Sequence, residues 1–210
     1  MNKKLRIAII GSRGYPYVYS GYETLVKELS ERLVQKGHSV RIYCHRSLFK
    51  VKPKKINGIE LVYTPSIQSK SLSQITNSFF SFIHVCFYKS DIVFVVNSAN
   101  GPFGLLTKIF NKKTFINVDG LEWLRPKWKG LGSIYFRFSS KLATIFFDEL
   151  ITDSFEMKKI YKHQFKKLNH LSSSHEKIYL FDMYKFVCPE STCNFVWEGN
   201  DIYHDDDHIS

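Results

Sequence analysis

Residues 5–24 (LRIAIIGSRGYPYVYSGYET) constrain the fold most, because they join an apolar run, a glycine loop and a helix start. The run at 7–10 is typical of a central strand in a parallel sheet, which is covered on both faces. Gly11, Gly14 and Gly21 follow it. Apolar residues then recur with helical spacing, at Tyr22, Leu25, Val26, Leu29 and Leu33. The stretch predicts backbone N–H groups and a positive helix end at the carboxyl edge of a sheet, where open α/β folds bind anionic ligands.

The glycine spacing excludes the common nucleotide motifs. Gly11-Ser-Arg-Gly14 with Gly21 later fits neither G-x-G-x-x-G nor the Walker pattern. An NAD site needs an acidic residue about 20 residues after the glycines. The second strand instead ends near Tyr-Cys-His-Arg at 43–46. Arg46 suits a 2′-phosphate, but the loop does not, so a nicotinamide dehydrogenase is disfavoured.

Strands and helices alternate along most of the chain. Strands are predicted at 39–44, 59–64, 91–96, 114–118 and 150–152. Helices are predicted at 22–36, 71–88, 131–147, in a short segment ending at Phe110, and up to about His163 after an Asp153/Glu156 capping box. In the helix at 71–88, one side carries Leu72, Ile75, Phe79, Ile83 and Phe87. This alternation predicts an α/β fold with a doubly wound parallel sheet.

The periodic pattern ends near residue 165. Residues 1–165 are therefore predicted to form one Rossmann-like domain, and residues 166–210 an irregular acidic tail, disordered or frame-shifted. Charge divides in a similar way: residues 1–170 carry 28 Lys and Arg against 11 Asp and Glu, and residues 171–210 carry 2 against 8. A basic body indicates an anionic partner, namely membrane lipid, a phosphate-bearing substrate or nucleic acid, although a solvated lysine surface explains any single residue equally well.

Targeting signals are absent from the sequence pattern. The apolar run after Asn2-Lys3-Lys4 is too short for a secretory signal, and no stretch of 18 apolar residues predicts a membrane span. Cys44 and Cys86 lie in apolar contexts, which predicts buried thiols in a reducing cytoplasm.

Four separate stretches resemble one family. They are IIGSRGYP at 9–16 with SGYET at 20–24, YTPSIQSKSL at 63–72, and NVDGLEW at 117–123 with Lys127-Trp128 after it. Together they resemble the N-terminal domains of bacterial GT-B glycosyltransferases of family 4, in the rhamnosyltransferase-like branch. The resemblance covers residues 5 to about 163 and excludes the tail.

The resemblance implies a division of labour. The N-terminal half would bind the acceptor, often a lipid-linked sugar at the inner face of the cell membrane, in surface polysaccharide synthesis. A C-terminal half would hold the nucleotide sugar, for example dTDP-rhamnose, as a substrate rather than a cofactor. A whole enzyme would continue for about one further domain. We therefore expect a truncated, weakly active or inactive form, or one that needs a separate donor-binding domain, and no nucleic-acid partner.

The resemblance also suggests site residues. Asp119, which follows a predicted strand, would accept a proton from the acceptor hydroxyl or orient a sugar, where related enzymes often carry His; the alternative is an Asp-Gly turn. Glu122 and Trp123 share its loop, and Trp123 would stack on a sugar or simply pack. The remaining substrate-binding candidates are Gly11, Arg13, Gly14, Gly21 and Glu23.

Each loop candidate has a structural alternative. Gly21 would face the donor diphosphate, or would only supply a positive φ in a turn. Glu23 would contact substrate, or would cap the helix with Ser20, which is favoured. Arg13 would bind a phosphate or lipid headgroup, or be an exposed loop cation.

Two further hypotheses remain. The basic loop with Lys50, Lys52, Lys54 and Lys55 would let a non-enzymatic module sit on an anionic membrane or a partner. In the tail, Cys188-x4-Cys193 and His204-x3-His208 approach a zinc-finger spacing, but the gap between the pairs is short, so chance is favoured and no metal site is predicted.

Overall fold

The computed structural model describes residues 3–16, 21–67, 69, 72–118, 120–126, 128–152, 154–168, 178–180, 196–197, 200–201, 203–205 and 208–209. In these residues, eight strands form one sheet: β1 Arg6–Ile10, β2 Ser39–His45, β3 Lys55–Ile56, β4 Ile59–Thr64, β5 Ile92–Val96, β6 Thr114–Asn117, β7 Glu149–Thr152 and β8 Ile178–Leu180. The helices are α1 Gly21–Gln35, α2 Leu72–Phe87, α3 Gly104–Ile109, α4 Leu131–Phe146 and α5 Phe155–Leu168.

The strand order of the sheet is β3-β4-β2-β1-β5-β6-β7-β8. All neighbours pair in parallel except β3, which is antiparallel to β4. The chain builds outward from β1 through β2 to β4, then returns to β5 beside β1 and builds outward the other way. In open α/β sheets, ligands usually bind at the carboxyl ends of the strands beside such a reversal, here β1 and β5.

Helix α1 ends where the sequence predicts, at a glycine. Gly37 has a φ of 85°, which a residue with a side chain rarely adopts. The N–H of His38 donates to the carbonyl of Leu33 at 3.0 Å, and that of Gly37 donates to Val34 at 2.9 Å. These two bonds satisfy carbonyls at the helix end and turn the chain into β2.

The sheet separates two cores, because successive strand residues point to opposite faces. On one face, α1 packs Leu25 and Val26 against the strands. On the other face, helices α2, α4 and α5 pack Phe82, Ala143 and Tyr161 against the strands. Helices thus cover both faces, which confirms the predicted doubly wound α/β class.

The structure also differs from the prediction in three places. The loop at 47–58 contains the short strand β3, which uses the Asn57-Gly58 turn to pair with β4. Helix α5 extends to Leu168, beyond the predicted boundary at 165. The tail, predicted to be irregular, supplies β8, which pairs in parallel with β7. Short antiparallel pairs follow: β9 Val196–Trp197 with β10 Asn200–Asp201, and β11 Tyr203–Asp205 with β12 His208–Ile209. Asp153 of the predicted capping box lies outside the described residues.

Candidate functional site

The candidate site is the carboxyl edge of the sheet at β1 and β5, with the segments that follow these strands and β6. The glycine loop follows β1, a 3₁₀ segment at Ser98–Phe103 follows β5, and the loop at 118–126 follows β6. The strands are parallel, so all three segments lie at the same edge of the sheet. The predicted site residues of the glycine loop and of the loop at 118–126 are therefore at one edge.

Gly11 has a structural role in the glycine loop. Its φ is 105°, and a Cβ at this position would collide with the carbonyl oxygen of Val96 and lie 2.8 Å from Nδ2 of Asn100. Nε2 of Gln74 donates to the Gly11 carbonyl at 2.7 Å. Gly14, at φ 128°, packs equally closely, with a Cβ position 2.8 Å from Cβ of Cys44. The absence of a side chain at these two glycines lets the loop pack closely against Val96, Asn100 and Cys44. This role is independent of any contact with a ligand.

Gly21 behaves differently. It is the first residue of α1, and a Cβ there would meet no described atom within 4 Å. Residues 17–20, which precede it, lie outside the described residues, so both roles weighed for Gly21, a diphosphate contact and a turn glycine, stay predictions. The helix that it begins has 15 residues, and its N-terminus carries a partial positive charge.

Glu23 holds the glycine loop to the first turn of α1. Its side chain is 4% exposed, and its Oε1 accepts from the backbone N–H of Arg13 at 3.0 Å. Ser20 lies outside the described residues, so the capping box remains a prediction. Gly11, Arg13, Gly14 and Glu23 thus form one group around the end of β1.

His45, at the end of β2, joins this group through α2. The amide Nε2 of Gln74 donates to Gly11, so its Oε1 accepts from Nε2–H of His45 at 3.1 Å. Nδ1 of His45 then accepts from the hydroxyl of Ser73 at 3.4 Å. The pKa of His45 is lowered to about 4, chiefly by burial and also by the positive charge of Arg13, while the Gln74 bond and the charge of Glu23 oppose the shift. A neutral imidazole fits this network.

The loop after β6 is organised by Glu122. This carboxylate is 4% exposed. It accepts from Nε1–H of Trp128 at 2.8 Å and pairs with the guanidinium of Arg125 at 3.1 Å. The ring of Trp128 in turn packs against Phe136 of α4 in a tilted arrangement, with ring centroids 4.8 Å apart. Glu122 therefore fixes the loop to α4, a role that sequence reasoning did not assign to it.

Trp123 is half-buried, and its carbonyl accepts from the hydroxyl of Ser133 at 2.8 Å. Asp119, the candidate for proton transfer, lies outside the described residues, and its role remains a prediction. The described contacts join Glu122 and Trp123 to α4, whereas Gly11, Arg13 and Glu23 are joined to one another and to α2. The site therefore has two separately supported walls.

Two buried polar atoms at this edge have no hydrogen-bond partner in the described part of the chain. They are Oγ of Ser12, 1% exposed, and Oδ1 of Asn117, 4% exposed. Ser12 follows β1 and Asn117 ends β6. Buried polar atoms are almost always paired in folded proteins. Their position at the ligand edge makes them candidates for ligand or water contacts.

Sequence reasoning missed Ser12, His45, Gln74 and Asn117. The signal for three of them was a polar residue at the end of an apolar strand, since such residues collect at the ligand edge. Gln74 gave no such signal, because it lies within a helix.

The described residues contain neither a metal-ligand cluster nor a membrane-spanning helix. Within the described residues, no cluster of three or more His, Cys, Asp or Glu is arranged to hold a metal ion. Cys188 and Cys193 lie outside that part, so the zinc alternative is untested. No helix in the described ranges combines the length and apolar character needed to cross a bilayer.

Residues 4–175 match the family described as a domain of unknown function, DUF1972. The chain belongs to this family. A stretch of 61 residues in the DUF1972 chain is 33% identical to a Klebsiella pneumoniae protein named "Uncharacterized 42.6 kDa protein in cps region". This stretch covers 29% of the chain and 16% of the Klebsiella protein.

Solved structures with a similar arrangement include two plant proteins. Arabidopsis thaliana UGT89C1, complexed with UDP-L-rhamnose, gives a TM-score of 0.49 at 12% identity, over 86% of the DUF1972 chain and 49% of its own. Phytolacca americana UGT2, complexed with UDP-2fluoro-glucose and pterostilbene, gives 0.47 at 8% identity, over 85% and 54%. The chain thus spans about half of each. The fold assignment rests on the strand order and not on these matches.

Proposed function

We propose that the DUF1972 domain is the acceptor-side half of a GT-B glycosyltransferase that transfers a sugar from a nucleotide sugar to a lipid-linked acceptor. One observation carries this proposal: α1 begins at Gly21, after the loop that follows β1, and at this sheet edge Oγ of Ser12 is buried without a hydrogen-bond partner in the described residues. A helix start with a glycine favours close approach of a diphosphate.

Two lines of support point to surface polysaccharide. The motifs at 9–16, 20–24, 63–72 and 117–123 resemble family 4 enzymes of the rhamnosyltransferase-like branch, which makes dTDP-rhamnose the first donor to try. The Klebsiella relative is named for a cps (capsule polysaccharide) region. A lipid-linked acceptor would place the domain at the inner face of the membrane, in keeping with the basic charge of residues 1–170.

The proposed roles follow from the two walls of the site. Asp119 would accept the proton of the acceptor hydroxyl, and Trp123 would stack on a sugar. Arg13 and the backbone at Gly21 would contact phosphate oxygens. Glu122 would keep the loop in place rather than contact substrate. A single sheet edge forms only one side of a transfer cleft, so we expect the chain of 210 residues alone to be weakly active or inactive.

The anion site is tested with Gly21→Ala and with Gln35→Ala, at the exposed far end of the same helix, as the matched control. The backbone N–H remains in Gly21→Ala, but the added Cβ would keep a diphosphate from its closest approach. Weakening one charge-assisted hydrogen bond in this way is worth about 1.5 kcal/mol, so we expect Gly21→Ala to weaken dTDP and UDP binding about tenfold. Its thermal stability should not fall, because the new Cβ meets no described neighbour. Equal affinities for both variants in calorimetry would refute the site.

The reaction is tested by transfer assays with dTDP-rhamnose and a panel of other sugar nucleotides, for the chain alone and fused to a donor-binding domain. Robust turnover by residues 1–210 alone would contradict the proposal that a donor-binding half is needed. In an active fusion, Asp119→Asn should lose turnover at unchanged stability, whereas Glu122→Gln should lose stability. Full turnover by Asp119→Asn, or an inactive fusion across the whole panel, would contradict the proposed role.

A further inference from the structure

The apolar side of α2 faces outward. Sequence spacing aligns Leu72, Ile75, Phe79, Ile83 and Phe87, and in the structure Phe79 is 41% and Phe87 77% exposed. The side facing the sheet contains Phe82 and Val85 but also small polar residues, with Asn77, Ser78 and Ser81 almost completely buried. Asn77 donates to the hydroxyl of Thr64 at 2.8 Å, and Ser81 bonds the same hydroxyl at 2.9 Å. Packing against the sheet therefore does not explain why the outward side of α2 is apolar.

Helix α4 shows the same inversion. Its inward residues include Ser139, whose hydroxyl donates to the carbonyl of Ser98 at 2.6 Å. Its outward residues include Ile134, 65% exposed, and Phe138, 56% exposed. Helix α3 lies between α2 and α4 and exposes Ile109 by 68%.

The outward residues lie on the neighbouring helices α2, α3 and α4, and we call them the outer apolar surface. At its α2–α3 side, the rings of Phe87 and Phe110 are in edge-to-face contact, with centroids 5.1 Å apart. At its α3–α4 side, Nζ of Lys108 donates to the carbonyl of Ile145 at 2.9 Å. Its members are Phe79, Phe80, Phe87, Leu105, Ile109, Phe110, Ile134, Phe138 and Ile145. Exposed apolar areas of this kind mark interaction surfaces.

The charged side chains within these three helices have one sign. Helices α2, α3 and α4 contain no Asp or Glu. Exposed cations accompany the apolar residues, among them Lys108, Arg137 and Lys141. Helix α1 differs, because Lys27 pairs there with Glu28 at 3.3 Å and with Glu31 at 3.5 Å. The outer apolar surface is therefore complementary to an anionic, apolar partner.

A groove adds depth to this surface. It has a volume of about 370 Å³ and lies along the outward side of α2, lined by Phe80, Ile83, His84, Phe87 and Tyr88. Aromatic side chains around an open groove provide apolar contacts at the depth of lipid headgroups and upper acyl chains.

We infer that the outer apolar surface is where this protein binds the surface of an anionic lipid bilayer. Aromatic and aliphatic side chains enter the interface, and Arg137, Lys141 and Lys108 contact lipid phosphates. Nine exposed apolar side chains with interspersed cations fit this partner better than nucleic acid, which would leave the apolar area in water. The inference specifies the surface behind the proposed membrane location, but it does not depend on sugar transfer.

The experiment is vesicle flotation of the full chain, without sugar nucleotide or acceptor. Vesicles of phosphatidylglycerol with phosphatidylethanolamine are compared with vesicles of phosphatidylcholine alone. Arg137→Gln/Lys141→Gln should weaken binding to the anionic vesicles roughly 25-fold, about fivefold for each cation. Its matched control, Lys52→Gln/Lys54→Gln, removes the same charge from the loop at 47–58 and should change binding less than about twofold. Phe87→Ala/Phe138→Ala should weaken binding about tenfold.

Each alternative has its own outcome. Equal binding to phosphatidylcholine vesicles would overturn the charge requirement. An equal loss of binding in Arg137→Gln/Lys141→Gln and in Lys52→Gln/Lys54→Gln would overturn the location of the binding surface, because binding would then follow net charge alone. No vesicle binding, together with a dimer in sedimentation velocity that Phe87→Ala/Phe138→Ala dissociates, would assign the surface to a second copy instead. Circular dichroism of each variant verifies that it is folded.

Discussion

The carboxyl edge of the sheet and the outer apolar surface differ in which side chains they bury. At the edge, polar side chains are buried and bonded to one another, as in the His45–Gln74 pair and in Glu122 with Trp128. At the outer apolar surface, large apolar side chains remain exposed, with Phe87 at 77%. Contacts within the fold therefore hold the polar residues of the edge, whereas the apolar residues of the surface are left partly uncovered. The difference separates a site that the fold supports from a surface that we propose contacts a bilayer.

The largest effect is expected where the two regions meet, at Gly101 in the 3₁₀ segment after β5. A Cβ on Gly101 would collide with the backbone carbonyl of Ser139 in α4 and lie 3.0 Å from the backbone nitrogen of Ala143. Helix α4 would have to move as a unit, so Gly101→Ala should destabilise by more than about 3 kcal/mol. Urea unfolding measures this, with Gly21→Ala as the unhindered control. A small loss at Gly101 would mean that α4 is not fixed to the edge.

The second effect is an acid sensitivity of the edge. Burial keeps His45 neutral with a pKa of about 4, whereas an unfolded histidine has a pKa near 6.5. The unfolded chain therefore binds more protons between these values. The stability that the neutral imidazole provides is present above about pH 6.5 and falls by about 2 to 3 kcal/mol as pH decreases to about 4.

Unfolding free energies across this pH range test the assignment. His45→Gln should flatten the pH dependence. Burial also lowers the pKa of His84, on the outward side of α2, so His84→Gln should flatten it too, but less, because His84 is more exposed. An unchanged slope in His45→Gln would show that the buried imidazole is not the source.

Sequence reasoning predicted the elements of this fold well, because their signals are local. The apolar run before Gly11 and the glycine after α1 act on neighbouring residues, and the resulting strand and helix bounds agree with the structure within a few residues. Strand β8 escaped prediction because three residues, Ile178–Leu180, carry too little pattern, and their position is set by pairing with β7.

The orientation of α2 and α4 was not predictable from hydropathy. Their inward sides include the buried residues Ser81 and Ser139. The hydroxyl of Ser81 is hydrogen-bonded to that of Thr64, and the hydroxyl of Ser139 donates to the carbonyl of Ser98. An apolar stripe at helical spacing usually faces the core, so spacing alone points to the wrong side here.

Only part of the candidate site could be predicted from local sequence patterns. Gly11, Arg13 and Glu23 belong to one local motif, and the structure brings them together. The bond between His45 and Gln74 joins residues 29 positions apart, on a strand and a helix, and no local pattern reports it.

The smallest loss of stability is expected for a substitution on the outer apolar surface itself. Helix α4 allows a direct comparison, because it contains one buried and one exposed phenylalanine close together. Phe136 and Phe138 are two residues apart in α4, but Phe136 is 6% exposed against Trp128, whereas Phe138 is 56% exposed. Phe136→Ala should cost about 3 kcal/mol, because it leaves a cavity under the loop that Glu122 holds. Phe138→Ala should cost less than about 0.5 kcal/mol, since it removes few contacts from the folded state. Equal losses in urea unfolding would show that the outward residues already stabilise the fold, and the surface would then need no partner to explain its apolar character.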